Sequence, residues 1–211
     1  MSWTLPQKYL FVTLAMTSFN FVTHILRNDF SNNKSLFLSP TSIEEIIKLS
    51  SKINNTYSSG ADGISSNLLK SIIFEISIPL THIFNSSLSS GIVPSKLKIA
   101  KVTPIFKADD CHNFSNYRPI SILPSISKLL EKVIYNRILN FISLHDILSP
   151  HQFGFRPQRS TYMAINELYC KIAENLDKKH HVAGIFLDLS KAFDTLNHNI
   201  LLNKLDHYGI R

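Results

Sequence analysis

Two carboxylates near the end of the sequence, Asp188 and Asp194, flank the short stretch Leu189-Ser190-Lys191-Ala192-Phe193. An apolar run of strand length, Val182-Ala183-Gly184-Ile185-Phe186-Leu187, delivers the first of them. Leu201, Leu202 and Leu205 then recur at helical spacing, with Gly209 as a stop, so the region reads as strand, acid, turn, helix. A carboxylate at the end of a buried strand is hard, anionic and rigidly held, which suits a divalent ion such as Mg2+. The same aspartate could instead cap the helix that follows. Local pattern leaves both readings open.

Groups able to meet phosphate concentrate in two other places. Ile99 to Phe106 has strand-like content, Lys107 to Ser115 is polar, and Tyr117 to Leu123 is extended again. This predicts a hairpin carrying Lys96, Lys98, Lys101, Lys107 and Arg118. Pro119 pushes Arg118 towards extended geometry, and Pro104 argues for an edge strand. Such a hairpin is either a solvated basic surface or a phosphate-gripping finger. The second place is Ser149 to Ser160, dense in amide, aromatic and arginine groups. Arg156 and Arg159 can meet phosphates, while Phe153 and Phe155 can stack on bases or pack as a structural loop.

Helices must position these groups. Ser42 and Glu45 form a capping box ahead of Ile43, Ile46, Ile47, Leu49 and Ile53. Tyr57 to Gly63 is a turn-rich loop, followed by a helix marked by Ile64, Leu68, Leu69, Ile72 and Ile73. Ile76 to Leu88 continues helically, with Pro79 expected in a first turn or at a kink. From Ser125, the residues Ile126, Leu129, Leu130, Val133, Ile134, Ile138, Phe141 and Ile142 make the most regular apolar stripe. A further helix starts at Thr161, with Ile165, Leu168, Tyr169, Ile172, Ala173 and Leu176 on one face. Residues 1–38 show no clean period and form a poorly defined segment before a domain over 39–211. The fold class expected is α/β, helix-dominated towards the N-terminus, with a basic hairpin and one further strand.

Composition bounds the rest. Of 211 residues, 44% are hydrophobic and 18% charged, which fits a folded chain rather than a disordered one. A formal net charge of +7 favours polyanionic partners. Cys111 and Cys170 make no disulfide framework and read as free thiols of a reducing, intracellular compartment, nuclear or cytoplasmic. Tyr9 to Met16 is apolar but too short to cross a bilayer and lacks a cleavage signature, so a soluble chain without membrane partners is expected. Nine histidines raise zinc, yet Cys111-His112, His180-His181, His198 and His207 have no standard ligand spacing.

Taken together, the series Gly60-Ala61-Asp62-Gly63-Ile64, Lys101 to Lys107, Asn116 to Ser121, Gln152 to Pro157 and Phe186 to Asp194 resembles the reverse transcriptase of non-LTR, jockey-like retrotransposons. The resemblance runs from about Ser39 to Arg211 and implies the fingers and first part of the palm of a right-hand polymerase. It implies an RNA template, a DNA primer and deoxynucleoside triphosphates as partners, and two Mg2+ ions that polarise the attacking hydroxyl and the departing pyrophosphate. By this resemblance Asp188 holds both ions and the Leu189 backbone meets the second. Phe193 is the aromatic gate beneath the incoming sugar, and Asp194 is structural. Lys107 and Arg118 grip the triphosphate, and Gln152, Gly154, Phe155 and Arg156 lie near template and nucleotide. From their basic side chains, Lys101, Arg156 and Arg159 are the candidate nucleic-acid contacts.

One departure matters. The family also requires an Asp-Asp hairpin preceded by Tyr-Ala or Phe-Ala, and the only adjacent pair here, Asp109-Asp110, precedes Asp188 within the finger loop. The 211 residues are therefore expected to lack polymerase activity alone, with a palm sheet short of strands and an exposed edge. The alternative is a non-catalytic RNA- or DNA-binding remnant, whose affinity would fall steeply with salt.

Overall fold

A computed structural model describes residues 2–4 by their backbone, and residues 34–188 and 196–210 in full. The apolar stretch Tyr9 to Met16 and three of the expected site residues, Leu189, Phe193 and Asp194, lie outside that set. In order, the described elements are β1 (Ser2–Thr4), α1 (Ile43–Ser51), α2 (Ser66–Ser71), α3 (Ile73–Ser90), β2 (Ile99–Phe106), β3 (Tyr117–Ile122), α4 (Ser125–Leu144), α5 (Thr161–Asp177) and α6 (His198–His207). The result is helix-rich with a small antiparallel sheet in the order β1-β2-β3. The chain divides into two compact units, the described residues 2–4 and 37–139 in one, 34–36 and 140–210 in the other.

In the first unit, local sequence accounts for each helix start and stop. Ser42 caps α1 by accepting from the Glu45 backbone N–H at 3.2 Å. Only half of the expected capping box forms, because the Glu45 carboxylate turns to Thr41 Oγ1 at 2.8 Å and to the Arg137 guanidinium. Ser65 caps α2, and Gly91, at φ 68°, ends α3 in the left-handed conformation that a glycine adopts without a Cβ penalty. Pro79 lies well inside α3 rather than in a first turn, since the helix already begins at Ile73. Ile46, Leu69, Phe84, Val93, Leu129 and Val133, each at most 2% exposed, centre the core of this unit. The regular stripe of α4 is borne out, for all of it is buried except Ile126, which is half-buried.

β2 and β3 pair in continuous register from Lys101↔Ile122 to Phe106↔Tyr117. The hairpin forms as the sequence predicts because its two strands are close along the chain. β2 is the central strand, yet β1 reaches only Ile99 to Lys101, so Pro104 faces Pro119 where, among the described residues, no third strand needs its missing N–H. Lys96 and Lys98 precede the hairpin, in the short 3-10 turn Ser95–Lys98.

In the second unit, Ser160 caps α5 and Asn197 caps α6. Phe141, Ile142, Ile147, Leu201, Leu205 and Tyr208 are buried. Gly209 accepts a hydrogen bond from Leu36 N at 2.7 Å with φ 85°, and a Cβ there would stand 2.0 Å from the Lys34 carbonyl oxygen. Only glycine fits. The expected strand over 182–188 is not formed: the segment is irregular and exposed. A strand needs a neighbour for its N–H and C=O groups, and none of the described residues pairs with this one. None of the helices is long and apolar enough to cross a membrane, among the described residues.

Candidate nucleotide and nucleic-acid interface

The β2–β3 register decides which side chains share a face. Alternation places Lys101, Thr103, Ile105 and Lys107 on one side of β2, and their cross-strand partners, Arg118 included, on the same side. Lys107 N donates to Asn116 O at 2.8 Å, so the pairing extends one step past the strands. Lys107 and Arg118 are thus diagonal neighbours, with Cα atoms roughly 7–8 Å apart, while Lys101 stands about 20 Å along the strand. All three are exposed, and none enters an ion pair among the described residues. Lys98 departs from the expected basic surface: it is 7% exposed and does not present its cation freely.

The loop at the hairpin tip is shaped by residues that were legible as a motif but not by role. Asn116 Nδ2 donates to the Asp110 carbonyl at 2.9 Å, and Tyr117 Oη to the Cys111 carbonyl at 2.9 Å. On the opposite face from Lys107 and Arg118, the Phe106 and Tyr117 rings lie 5.4 Å apart.

Behind the hairpin, Gly60 to Ile64 docks onto the chain that leaves β3. A Cβ on Gly60 would lie 2.7 Å from Pro124 N and 2.9 Å from Leu123 C, both backbone atoms that cannot rotate away. Asp62 Oδ1 accepts from Ile64 N at 3.2 Å, and Ser125 Oγ donates to Ile64 O at 3.1 Å. These contacts tie the turn to the start of α4. Gly60→Ala is therefore expected to cost about 1–3 kcal/mol through overpacking. Urea unfolding checks this, with a midpoint unchanged from the parent counting against the close approach.

The second group of expected site residues belongs to the other unit. Arg156 Nη1 donates to the Ser149 carbonyl at 2.9 Å, and the Arg159 guanidinium lies 5.4 Å from the Phe153 ring centroid. Gln152 Nε2 donates to Gly154 O at 3.3 Å. Both arginines are half-buried and help to hold their own loop, in which Phe155 and Gln158 adopt positive φ. Glu167 accepts from Lys171 and His151, at 2.7 and 2.6 Å. The Lys171 hydrogen bond, ahead of the opposing effect of desolvation and with help from His151, holds its carboxyl below the usual range.

Asp188 is exposed at the end of the irregular segment, after Ile185, Phe186 and Leu187, which are 86%, 84% and 90% exposed. Among the described residues no cluster of three or more His, Cys, Asp or Glu ligands includes it, so they do not build the donor set of a two-Mg2+ centre.

The chain belongs to the reverse transcriptase (RNA-dependent DNA polymerase) family, whose pattern matches residues 105–211. Within that family it is similar to polymerases of non-LTR retrotransposons. It is 33% identical over 183 residues to the "Probable RNA-directed DNA polymerase from transposon BS" of Drosophila melanogaster, covering 83% of this chain and 20% of the relative. To the "RNA-directed DNA polymerase from mobile element jockey" it is 33% identical over 166 residues in Drosophila funebris, covering 78% of this chain and 18% of the relative. The corresponding jockey polymerase of Drosophila melanogaster is 32% identical over 171 residues, covering 81% and 19%. The chain spans about a fifth of the length of these relatives.

Proposed function

We propose that this chain supplies the fingers and the first part of the palm of a retrotransposon RNA-directed DNA polymerase. In this reading Lys107 and Arg118 grip the triphosphate of the incoming nucleotide, and Asp188 is the first metal-holding carboxylate. The family resemblance assigns Leu189 to the second metal and Phe193 to the sugar, while Lys101, Gln152, Arg156 and Arg159 are assigned to template, primer or nucleotide. The observation that carries it is the hairpin register, which sets diagonally on one face two cations that enter no ion pair among the described residues. A triphosphate presents several oxygens over a comparable span, and fixed positive charge lowers the cost of holding it.

The 211 residues by themselves hold one carboxylate of the palm centre, so nucleotide binding is separated from nucleotide transfer. Primer extension on an RNA template, with all four deoxynucleoside triphosphates and Mg2+, is expected to yield no product from this chain alone. Extension that disappears in Asp188→Asn would overturn that separation. Binding of a triphosphate or of single-stranded RNA should persist and weaken as salt rises. Lys107→Ala and Arg118→Ala should each lower the slope of log affinity against log salt by about 1. Slopes identical to the parent would remove both residues from the interface.

A further inference from the structure

The hairpin that carries Lys107 and Arg118 ends in a loop where three chemically different ligands meet. Asp110, Cys111 and His112 are exposed, and their carboxylate oxygen, thiol sulfur and ring nitrogen all lie within 4.8 Å of one another. Spacing in the sequence hides this, because consecutive residues match no familiar ligand pattern. The loop backbone brings them together. Asp110 Oδ1 accepts from His112 N at 2.9 Å, which folds the three residues into a tight turn. Asn116 and Tyr117 hold the Asp110 and Cys111 carbonyls from the β3 side, and Asn113 N donates to Asp110 O at 3.2 Å. The backbone is thus set before any ligand arrives, which reduces the ordering cost of binding.

We propose that Asp110, Cys111 and His112 form a binding site for a borderline-soft divalent cation of the zinc type at the finger tip. Sulfur and imidazole nitrogen select such an ion over Mg2+, which takes oxygen ligands. Bond lengths of about 2.0–2.3 Å imply ligand separations of roughly 3.3–3.7 Å in a tetrahedral site. All three side chains are exposed, which leaves them room to rotate towards that spacing. After accepting from His112 N, the Asp110 carboxylate still has lone pairs for the metal. Three protein ligands leave the fourth position to water. Binding converts the Cys111 thiol to thiolate and releases its proton to solvent. A bound ion would tie Asp110 to His112 within the turn between β2 and β3. This site uses none of the residues assigned to nucleotide or to Mg2+.

Titration of the reduced 211-residue protein with Co2+, which reports thiolate coordination by a charge-transfer absorption, tests it. One equivalent should develop that band, and Zn2+ should displace it. Cys111→Ser should abolish the band, and His112→Asn should weaken cobalt binding by about tenfold or more. Cys170→Ser, which removes the other exposed free thiol, should leave both unchanged. Circular dichroism of each variant confirms that the fold is kept. No thiolate band in the parent, or a band that survives Cys111→Ser or disappears with Cys170→Ser, would overturn the proposal. Triphosphate affinity measured on the same samples is independent of this outcome.

Discussion

Arg137→Met is expected to destabilise the first unit by about 2–4 kcal/mol, read as a fall in the urea midpoint at neutral pH. Arg137 is the point where three segments are tied together. Its Nη1 and Nη2 meet the two oxygens of Glu45, the second at 2.6 Å, from a position 92 residues away in the sequence. Nε donates to the Ser39 carbonyl at 3.3 Å and Nη2 to the Pro40 carbonyl at 3.1 Å. The side chains are 12% and 25% exposed, so the charges are partly desolvated and a methionine would strand the carboxylate. This bond pattern fixes α1 and its approach against α4, the helix that leads away from β3.

The pair also carries a pH dependence with a definite sign. The Arg137 hydrogen bond, ahead of the opposing effect of burial, holds the Glu45 carboxyl below its ordinary 4.5. A lowered folded-state pKa gives stability that is present above 4.5 and is lost as pH falls through the folded value. Arg137→Met should lack that acid-side loss. Glu45→Gln combined with Arg137→Met should recover part of the midpoint, because it removes the stranded charge. Equal midpoints for parent and Arg137→Met would mean that water screens the pair, as it does at an open surface.

Most of this network was not legible in the sequence, and the reason is distance along the chain. Arg137 falls off the apolar stripe of α4, and nothing local reveals a carboxylate 92 residues away. Helix periodicity was legible because it depends on neighbours three and four residues apart, and the stripe of α4 is buried almost throughout. In α5 the same reasoning found the helix but not its environment. Ile165, Leu168, Tyr169 and Leu176 lie on the expected face and remain exposed, because a period shows which face is apolar and not what covers it. Strands divide along the same line. β2 and β3 find each other across a short loop, whereas Val182 to Leu187 has strand-like content without a partner among the described residues. Asp188 was legible as a candidate from its place after that run. The rigid frame that would make it a metal ligand depends on pairing that no local pattern encodes. At the tip of the β2–β3 hairpin the consecutive residues show no ligand spacing, while the turn brings Cys111 and His112 together with Asp110.

Glu131→Gln should remove a loss of stability that the parent shows as pH rises from about 4.5 to about 7. Glu131 lies on α4 among its buried residues, and its Oε1 has neither solvent contact nor a hydrogen-bond partner among the described residues. Burial raises its pKa from 4.5 to about 7, against the pull of Lys128 and Lys132, which lowers it. The folded state therefore keeps the proton at pH values where the unfolded chain releases it. Stability is full below about 4.5 and declines as pH passes through 7, opposite in direction to the Glu45 contribution. That rise in pKa corresponds to an upper bound of roughly 3 kcal/mol, most of it regained at pH 8 by an amide that never ionises. The amide is a close match in shape, so packing is retained. Urea midpoints of parent and variant between pH 5 and 8 should diverge steadily, the variant being the more stable at the alkaline end. Parallel midpoints across that range would mean that the carboxylate is solvated when charged, and α4 would then tolerate the ionised group without cost.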